Sequence, residues 1–144
     1  MSPLSIVILG FVVLESANVL ALYFIPGSKY ANSVGVFKAW ERSKEDPEVH
    51  DLVRYLTNWV AGTKLIFLAL LLVILLTADT QALLYTGLAL AISISSFFWR
   101  LFPLARKMDR EGRVDPTGYS AILGVMIAAI VVLLVVALLL TAIS

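Results

Sequence analysis

Four long apolar runs, separated by shorter polar stretches, constrain this chain more than any other feature. The runs cover about residues 2–25, 58–78, 81–103 and 119–143. Each is long enough, at about 1.5 Å per residue, to form a helix that crosses about 30 Å of hydrocarbon. Because 144 residues leave little room besides, we predict a single domain over residues 1–144, an all-α integral membrane protein built as a four-transmembrane-helix bundle.

The composition agrees with this class and excludes several kinds of site. Hydrophobic residues make up 60% of the chain and charged residues 15%, against roughly half and a quarter in a soluble domain. Cysteine is absent and His50 is the one histidine, which excludes disulfides, thiolate metal sites and a two-histidine metal site within one chain. We therefore predict no metal and no cofactor. Because the net charge is +1 and the chain has no basic tract, we also predict no nucleic-acid partner.

The positions of the basic residues predict the orientation of the helices. All 11 lysines and arginines fall between residues 29 and 64 or between residues 100 and 113, in or beside the connections 26–57 and 104–118. Cytoplasmic connections of membrane proteins carry an excess of such residues. We therefore predict both connections in the cytoplasm and both termini outside the plasma (cytoplasmic) membrane, with the lipid bilayer as partner.

The first connection carries helical signals of its own. Asp46 and Pro47 form a helix start, with an N-cap followed by proline at the first helical position. Apolar residues then recur at steps of three and four up to Val60, opposite a polar face. We predict an amphipathic interfacial helix from about Pro47 that continues into the second span. A shorter amphipathic piece is predicted over residues 33–44.

Prolines predict further boundaries of the spans. Pro26 and Pro103 follow the apolar parts of the first and third runs, and we expect each to end its span. Asp115 and Pro116 repeat the N-cap and proline signal just before the fourth run, so we expect a helix start there.

Small residues predict which helix faces pack. Gly87, Ala91 and Ser95 fall four apart in the third run, and such stripes let helices approach closely in a bilayer. We predict a homo-oligomer, with a dimer favoured, that uses this stripe as its contact. The fourth run has no polar side chain between Ala121 and Leu140 and is expected to be a lipid-facing or inert wall.

Ionisable and polar residues inside the runs mark a candidate site. Glu15 lies near the middle of the first run, Asn18 follows one helical turn later, and Lys64 lies at a similar depth in the second run. Because an unpaired charge at mid-membrane costs roughly 3 kcal/mol or more, pairing is the cheapest arrangement. The candidate ion- or ligand-binding residues are Glu15, Asn18, Lys64, Ser93, Ser96 and Arg100. Three interpretations stay open: a structural ion pair that sets helix register, a working proton or ligand site, or a Glu15 that is simply protonated against a neighbouring backbone.

Two families resemble parts of this chain. The first span resembles that of the small multidrug-resistance exporters, which also place one glutamate, here Glu15, in the first of four short helices. That resemblance implies proton-coupled export of cationic compounds, although these exporters lack the long first connection. In topology the chain looks like the membrane-associated eicosanoid and glutathione enzymes. Those enzymes have an arginine- and asparagine-rich signature around the second helix, and residues 49–58 of this chain do not match it.

Three classes of function follow from these features. The first is a transporter or channel subunit with an intramembrane ion, proton or small-ligand site centred on Glu15. The second is a membrane-embedded enzyme or lipid-binding protein that takes a lipophilic ligand at the cytoplasmic interface, and the third is a non-catalytic assembly or scaffold subunit. The sequence has no hydrolytic triad, phosphate loop or redox motif, so transport ranks first and an enzyme is disfavoured.

Overall fold

The computed structural model describes residues 1–30 and 32–143, and these form six α-helices, one 3-10 turn and no β-strand. The elements are α1 (Pro3–Phe24), the 3-10 turn Val34–Val36, α2 (Lys38–Ser43), α3 (Pro47–Thr77), α4 (Thr80–Ser95), α5 (Phe97–Arg110) and α6 (Tyr119–Ala142). By length and composition α1, α3, α4 with α5, and α6 can each span a membrane. The predicted all-α class with four long apolar helices is confirmed.

Helix α1 is the centre of the bundle. It packs against α3 on one side and α6 on the other, and it also touches α4. Helices α4 and α5 pack mainly on α6, and α3 packs mainly on α1. Helices α3 and α4 hardly contact each other. We call the end with both termini and the turn at residues 78–79 the terminal end, and the end with residues 25–46 and 111–118 the connection end.

The start of α3 agrees with the sequence signal. The Asp46 side chain accepts hydrogen bonds from the backbone N–H groups of Glu48 and Val49, and Pro47 is the first helical residue. These bonds satisfy donors that a helix start leaves without partners. Helix α3 then runs without a break to Thr77, so the predicted helix from Pro47 that enters the second span is confirmed.

Pro103 does not end the third long helix, and this expectation is wrong. The break lies at Ser96, between α4 and α5, and Pro103 lies inside α5. The Ser95 hydroxyl donates to Ala91 O at 2.7 Å, and the Ser96 hydroxyl donates to Ser93 O at 2.6 Å. Such bonds compete for carbonyls that the helix itself uses and bend helices. Proline removes one donor and crowds the preceding turn, which kinks or breaks a helix, yet α5 continues past Pro103 to Arg110.

The helix start predicted at Asp115 and Pro116 is also wrong. Helix α6 begins at Tyr119, after Gly118 with φ 84°, a left-handed conformation that suits glycine. Its start is capped from α5 instead, because the Asp109 carboxylate accepts from Gly118 N at 2.9 Å and from the Ser120 N–H and hydroxyl at 2.9 and 2.7 Å. Because Asp109 on α5 already accepts these hydrogen bonds, the Asp115 carboxylate is available to pair with another residue.

The terminal end is closely packed. Leu4 and Ile8 of α1 and Leu134 of α6 have no exposed surface (0%). A Cβ atom on Gly87 would lie 2.9 Å from both Leu4 methyl carbons, so a larger residue there would force the buried Leu4 side chain to shift. The Leu4 N–H also donates to the Thr141 hydroxyl oxygen at 3.1 Å, which joins the two ends of the chain.

The small-residue stripe of α4 therefore has a role within the chain. Gly87 and Ala91 are both buried against neighbouring helices of the same chain. These two residues are covered within one chain, whereas Ser95, the third residue of the stripe, is exposed. The homo-oligomer and its contact through this stripe stay predictions.

The two connections meet each other at the connection end. Phe37 and Val114 form an antiparallel bridge, in which Lys38 N donates to Arg113 O and Asp115 N donates to Val36 O, each at 2.9 Å. Val36 and Val114 are almost fully buried beneath it. This bridge fixes the first connection against the second and positions the loop that reaches the candidate site.

Candidate functional site

A polar cluster joins α1 to α3 inside the bundle. The Lys64 ammonium donates to Glu15 Oε2 at 2.6 Å and to Asn18 Oδ1 at 2.7 Å. Glu15 and Asn18 are three residues apart on α1, so both side chains face the same neighbour. The side chains of Lys64 and Glu15 keep 32% and 16% of their surface exposed. The pairing of Glu15 with Lys64 that their similar depths allowed is therefore present. Part of each side chain remains exposed.

Asn18 extends the cluster to a loop between α1 and α2, which we call the first loop (described residues 25–30 and 32–35). The Asn18 side-chain amide donates to Asn32 O at 3.1 Å. Asn32 has φ 48°, in the left-handed region that asparagine tolerates better than most residues. The Tyr119 hydroxyl, at the start of α6, donates to the Asn32 side-chain oxygen. The cluster thus joins α1, α3, the first loop and α6.

The first loop is closed by a tight contact at its base. Gly35 N and the Ser33 hydroxyl both donate to Pro26 O, at 2.9 and 2.6 Å. A Cβ atom on Gly35 would lie 2.1 Å from Gly27 O, so this approach requires glycine. The closed base directs Asn32 toward Asn18.

An exposed ion pair ties the first loop to the second connection. Lys29 Nζ lies 2.5 Å from Asp115 Oδ2. The hydrogen bond from Lys29, together with its charge, lowers the pKa of the Asp115 carboxyl below its ordinary value. The same contact raises the pKa of the Lys29 ammonium. The pair is therefore charged over a wide pH range.

Two cavities border Glu15. The first has a volume of about 300 Å³ and lies between α1, α6 and the first loop. The second, of about 280 Å³, lies between α1, α3 and the junction of α4 with α5. Glu15 lines both, whereas Lys64 lines only the second. Glu15 is therefore a lining residue that the two cavities share.

The remaining predicted site residues lie farther along the second cavity or outside it. Ser93 and Ser96 line that cavity on the α4 side, and the Ser96 hydroxyl is bonded to Ser93 O. The structure does not bring Arg100 to Glu15. Arg100 is exposed, and its guanidinium carbon lies 5.3 Å from the centre of the Trp99 ring.

Sequence reasoning missed two polar residues and the part played by α6. Asn32 and Tyr119 both line the first cavity, with Ile122, Met126 and Ile127 of α6. The fourth span thus takes part in the site at its connection end. Its apolar residues form one wall of the cavity that Glu15 also lines. A tyrosine at the start of an apolar run was a usable signal, but it also fits an interface anchor.

The chemistry of the cluster is that of an ion pair with amide and hydroxyl partners. Within residues 1–30 and 32–143, no group of three or more histidine, cysteine or acidic side chains can hold a metal ion. The carboxylate of Glu15 can accept a proton or bind a cation, and Lys64 and Asn18 can donate hydrogen bonds. The arrangement suits exchange of a proton or a small polar ligand.

No protein-family model, curated protein or solved structure matches this chain. The geometry of the cluster is therefore what indicates a function. The likeness of the first span to the small multidrug-resistance exporters, and of the topology to the eicosanoid and glutathione enzymes, stays a prediction.

Proposed function

We propose that this chain is a multi-pass protein of the plasma membrane, with its connection end in the cytoplasm and both termini outside. Four helices long and apolar enough to cross a bilayer support the proposal. The clustering of lysine and arginine toward the connection end supports the orientation.

Within that membrane protein, the proposed activity is transport, as a transporter or channel subunit in which Glu15 takes up and releases a proton or a small ligand. The observation that carries this proposal is that Glu15 lines two separate cavities while its carboxylate is paired with Lys64. A purely structural pair needs only one contact and no access. A carboxylate that two cavities reach is positioned to exchange a proton or ligand between them.

The ion pair supplies the switch in this mechanism. When Glu15 is ionised, it holds the Lys64 ammonium together with Asn18. When a proton from one cavity binds the carboxylate, the attraction between the two charges is lost, and Lys64 keeps only its bond to Asn18. Release of that proton to the other cavity restores the pair. The cost of an unpaired charge in the membrane interior, roughly 3 kcal/mol, biases the site toward the paired state.

Proton flux into liposomes tests this function. The protein is reconstituted into liposomes that contain a pH-sensitive dye, and a membrane potential is applied. We expect flux with the natural chain and with Glu45→Gln, a control in an exposed glutamate of the first connection. We expect Glu15→Gln to reduce the flux to that of empty liposomes. A Glu15→Gln protein with full flux would overturn the proposal.

A further inference from the structure

The second cavity has a neighbour along α3 and α4. This other cavity, of about 300 Å³, shares the lining residues Phe67 and Ser93 with it, and we call the two together the groove. That cavity reaches Ile74 on α3 and Thr86 on α4, toward the terminal end. The groove exists because these consecutive helices pack on α1 and α6 and hardly on each other.

The groove is polar at one end and apolar along its length. Glu15, Lys64, Ser93 and Ser96 lie at the polar end. The rest of the wall is hydrocarbon, apart from Thr86, whose hydroxyl is already bonded to Ala82 O at 2.8 Å. From Lys64 to Ile74 the helix rises about 15 Å. One polar end and a long apolar wall match an amphiphile with a single chain.

The charges at the polar end select an uncharged ligand. Glu15 and Lys64 neutralise each other, so a charged headgroup would add an uncompensated charge deep in the bundle, which is costly. A phospholipid would also have to leave its headgroup far from the membrane surface. A hydroxyl or carbonyl oxygen carries no such cost and can accept a hydrogen bond from the Lys64 ammonium.

We propose that the groove between α3 and α4 binds an uncharged single-chain amphiphile, with its hydroxyl or carbonyl oxygen at Lys64 and its chain between Phe67 and Ile74. The proposal rests on the proposed function, because it takes the groove to lie within the bilayer and the Glu15 cluster to be a ligand site. It names the ligand class that this site accepts.

Photolabelling in phosphatidylcholine nanodiscs tests the ligand. The probe is a long-chain alcohol with a diazirine in its chain, and labelled residues are mapped by mass spectrometry. We expect labelling of α3 and α4 residues along the groove that excess unlabelled alcohol removes. Ala89→Trp, which fills the groove from an exposed position of its wall, should reduce this labelling about tenfold. Leu88→Trp is the matched control, since Leu88 is 49% exposed and neighbours Ala89.

Absence of groove labelling would overturn the proposal, and so would either of two further results. One is equal labelling in Ala89→Trp and Leu88→Trp, which would mean general contact with the bilayer. The other is equal labelling by a diazirine-bearing phosphatidylcholine, which would mean that ordinary bilayer lipid fills the groove. The flux assay separates this outcome from failure of the transport proposal. Groove labelling with full flux in Glu15→Gln would reject transport alone, and lost flux without groove labelling would reject the amphiphile alone.

Discussion

The terminal end and the middle of the bundle are built from the same helices but pack differently. At the terminal end Leu4 and Leu134 are fully buried (0% exposed), and Gly87 lets α4 contact α1. Near the middle of α1, Glu15 lines cavities of about 300 and 280 Å³. Small residues let α1 and α4 close at the terminal end, whereas cavities remain around the polar cluster. A closely packed end beside an accessible cluster is what the proposed exchange site needs.

Breaking the ion pair should give the largest change in stability. Lys64→Met leaves the Glu15 carboxylate without its cation, and removal of one partner of a buried pair costs about 3 to 5 kcal/mol. We expect the lower part of that range, because 32% of the Lys64 side chain is exposed. The free energy of unfolding in mixed micelles measures it. Lys38→Met, at an exposed position, is the control. Equal unfolding free energies of the two variants would show that the pair does not stabilise the bundle.

Filling the close contact at the terminal end should have the next largest effect. Gly87→Leu places side-chain atoms where Leu4 already lies, and overpacking of this kind costs about 1 to 3 kcal/mol. Gly10→Ala is the counterpart, since a Cβ atom there would meet nothing within 4 Å, and it should stabilise the chain by up to about 1 kcal/mol. The same unfolding assay compares them. A stable Gly87→Leu protein would mean that the terminal end is less rigid than its packing indicates.

The smallest expected effect concerns the exposed pair of the first loop. The pKa of Asp115 is lowered by Lys29, so its contribution to stability is present above the ordinary carboxyl value and is lost as pH falls through the lowered pKa. The thermal unfolding temperature of Asp115→Asn should therefore lie slightly below that of the natural chain at neutral pH and equal it in acid. Thermal unfolding across that pH range measures the difference. A large effect at neutral pH would argue that the loop depends on this pair more than on the Asn18 and Tyr119 contacts.

The features that follow from composition and spacing were predictable from the sequence. The four long helices follow from run length, and the start at Asp46 and Pro47 follows from a local capping pattern. The pairing of Glu15 with Lys64 follows from their similar depths and from the cost of leaving either charge alone. Each of these features depends on nearby residues or on one pairwise energy.

Features that depend on distant contacts were not predictable. The cap on α6 comes from Asp109 and not from Asp115, because α5 runs beside the start of α6. Asn32 joins the cluster because the base of the first loop closes on Gly27 and Gly35. No periodicity in the sequence carries that information. The two cavities likewise depend on which helices pack together, and no single apolar run determines that.

The double variant Glu15→Leu with Lys64→Met tests the central claim, that Glu15 works as an exchange site and does not merely hold α1 to α3. Removing both charges leaves none uncompensated, so the unfolding free energy should return to within about 1 kcal/mol of the natural chain. We expect a folded double variant whose proton flux equals that of empty liposomes. A folded double variant with the flux of the natural chain would contradict it and leave the pair a structural contact.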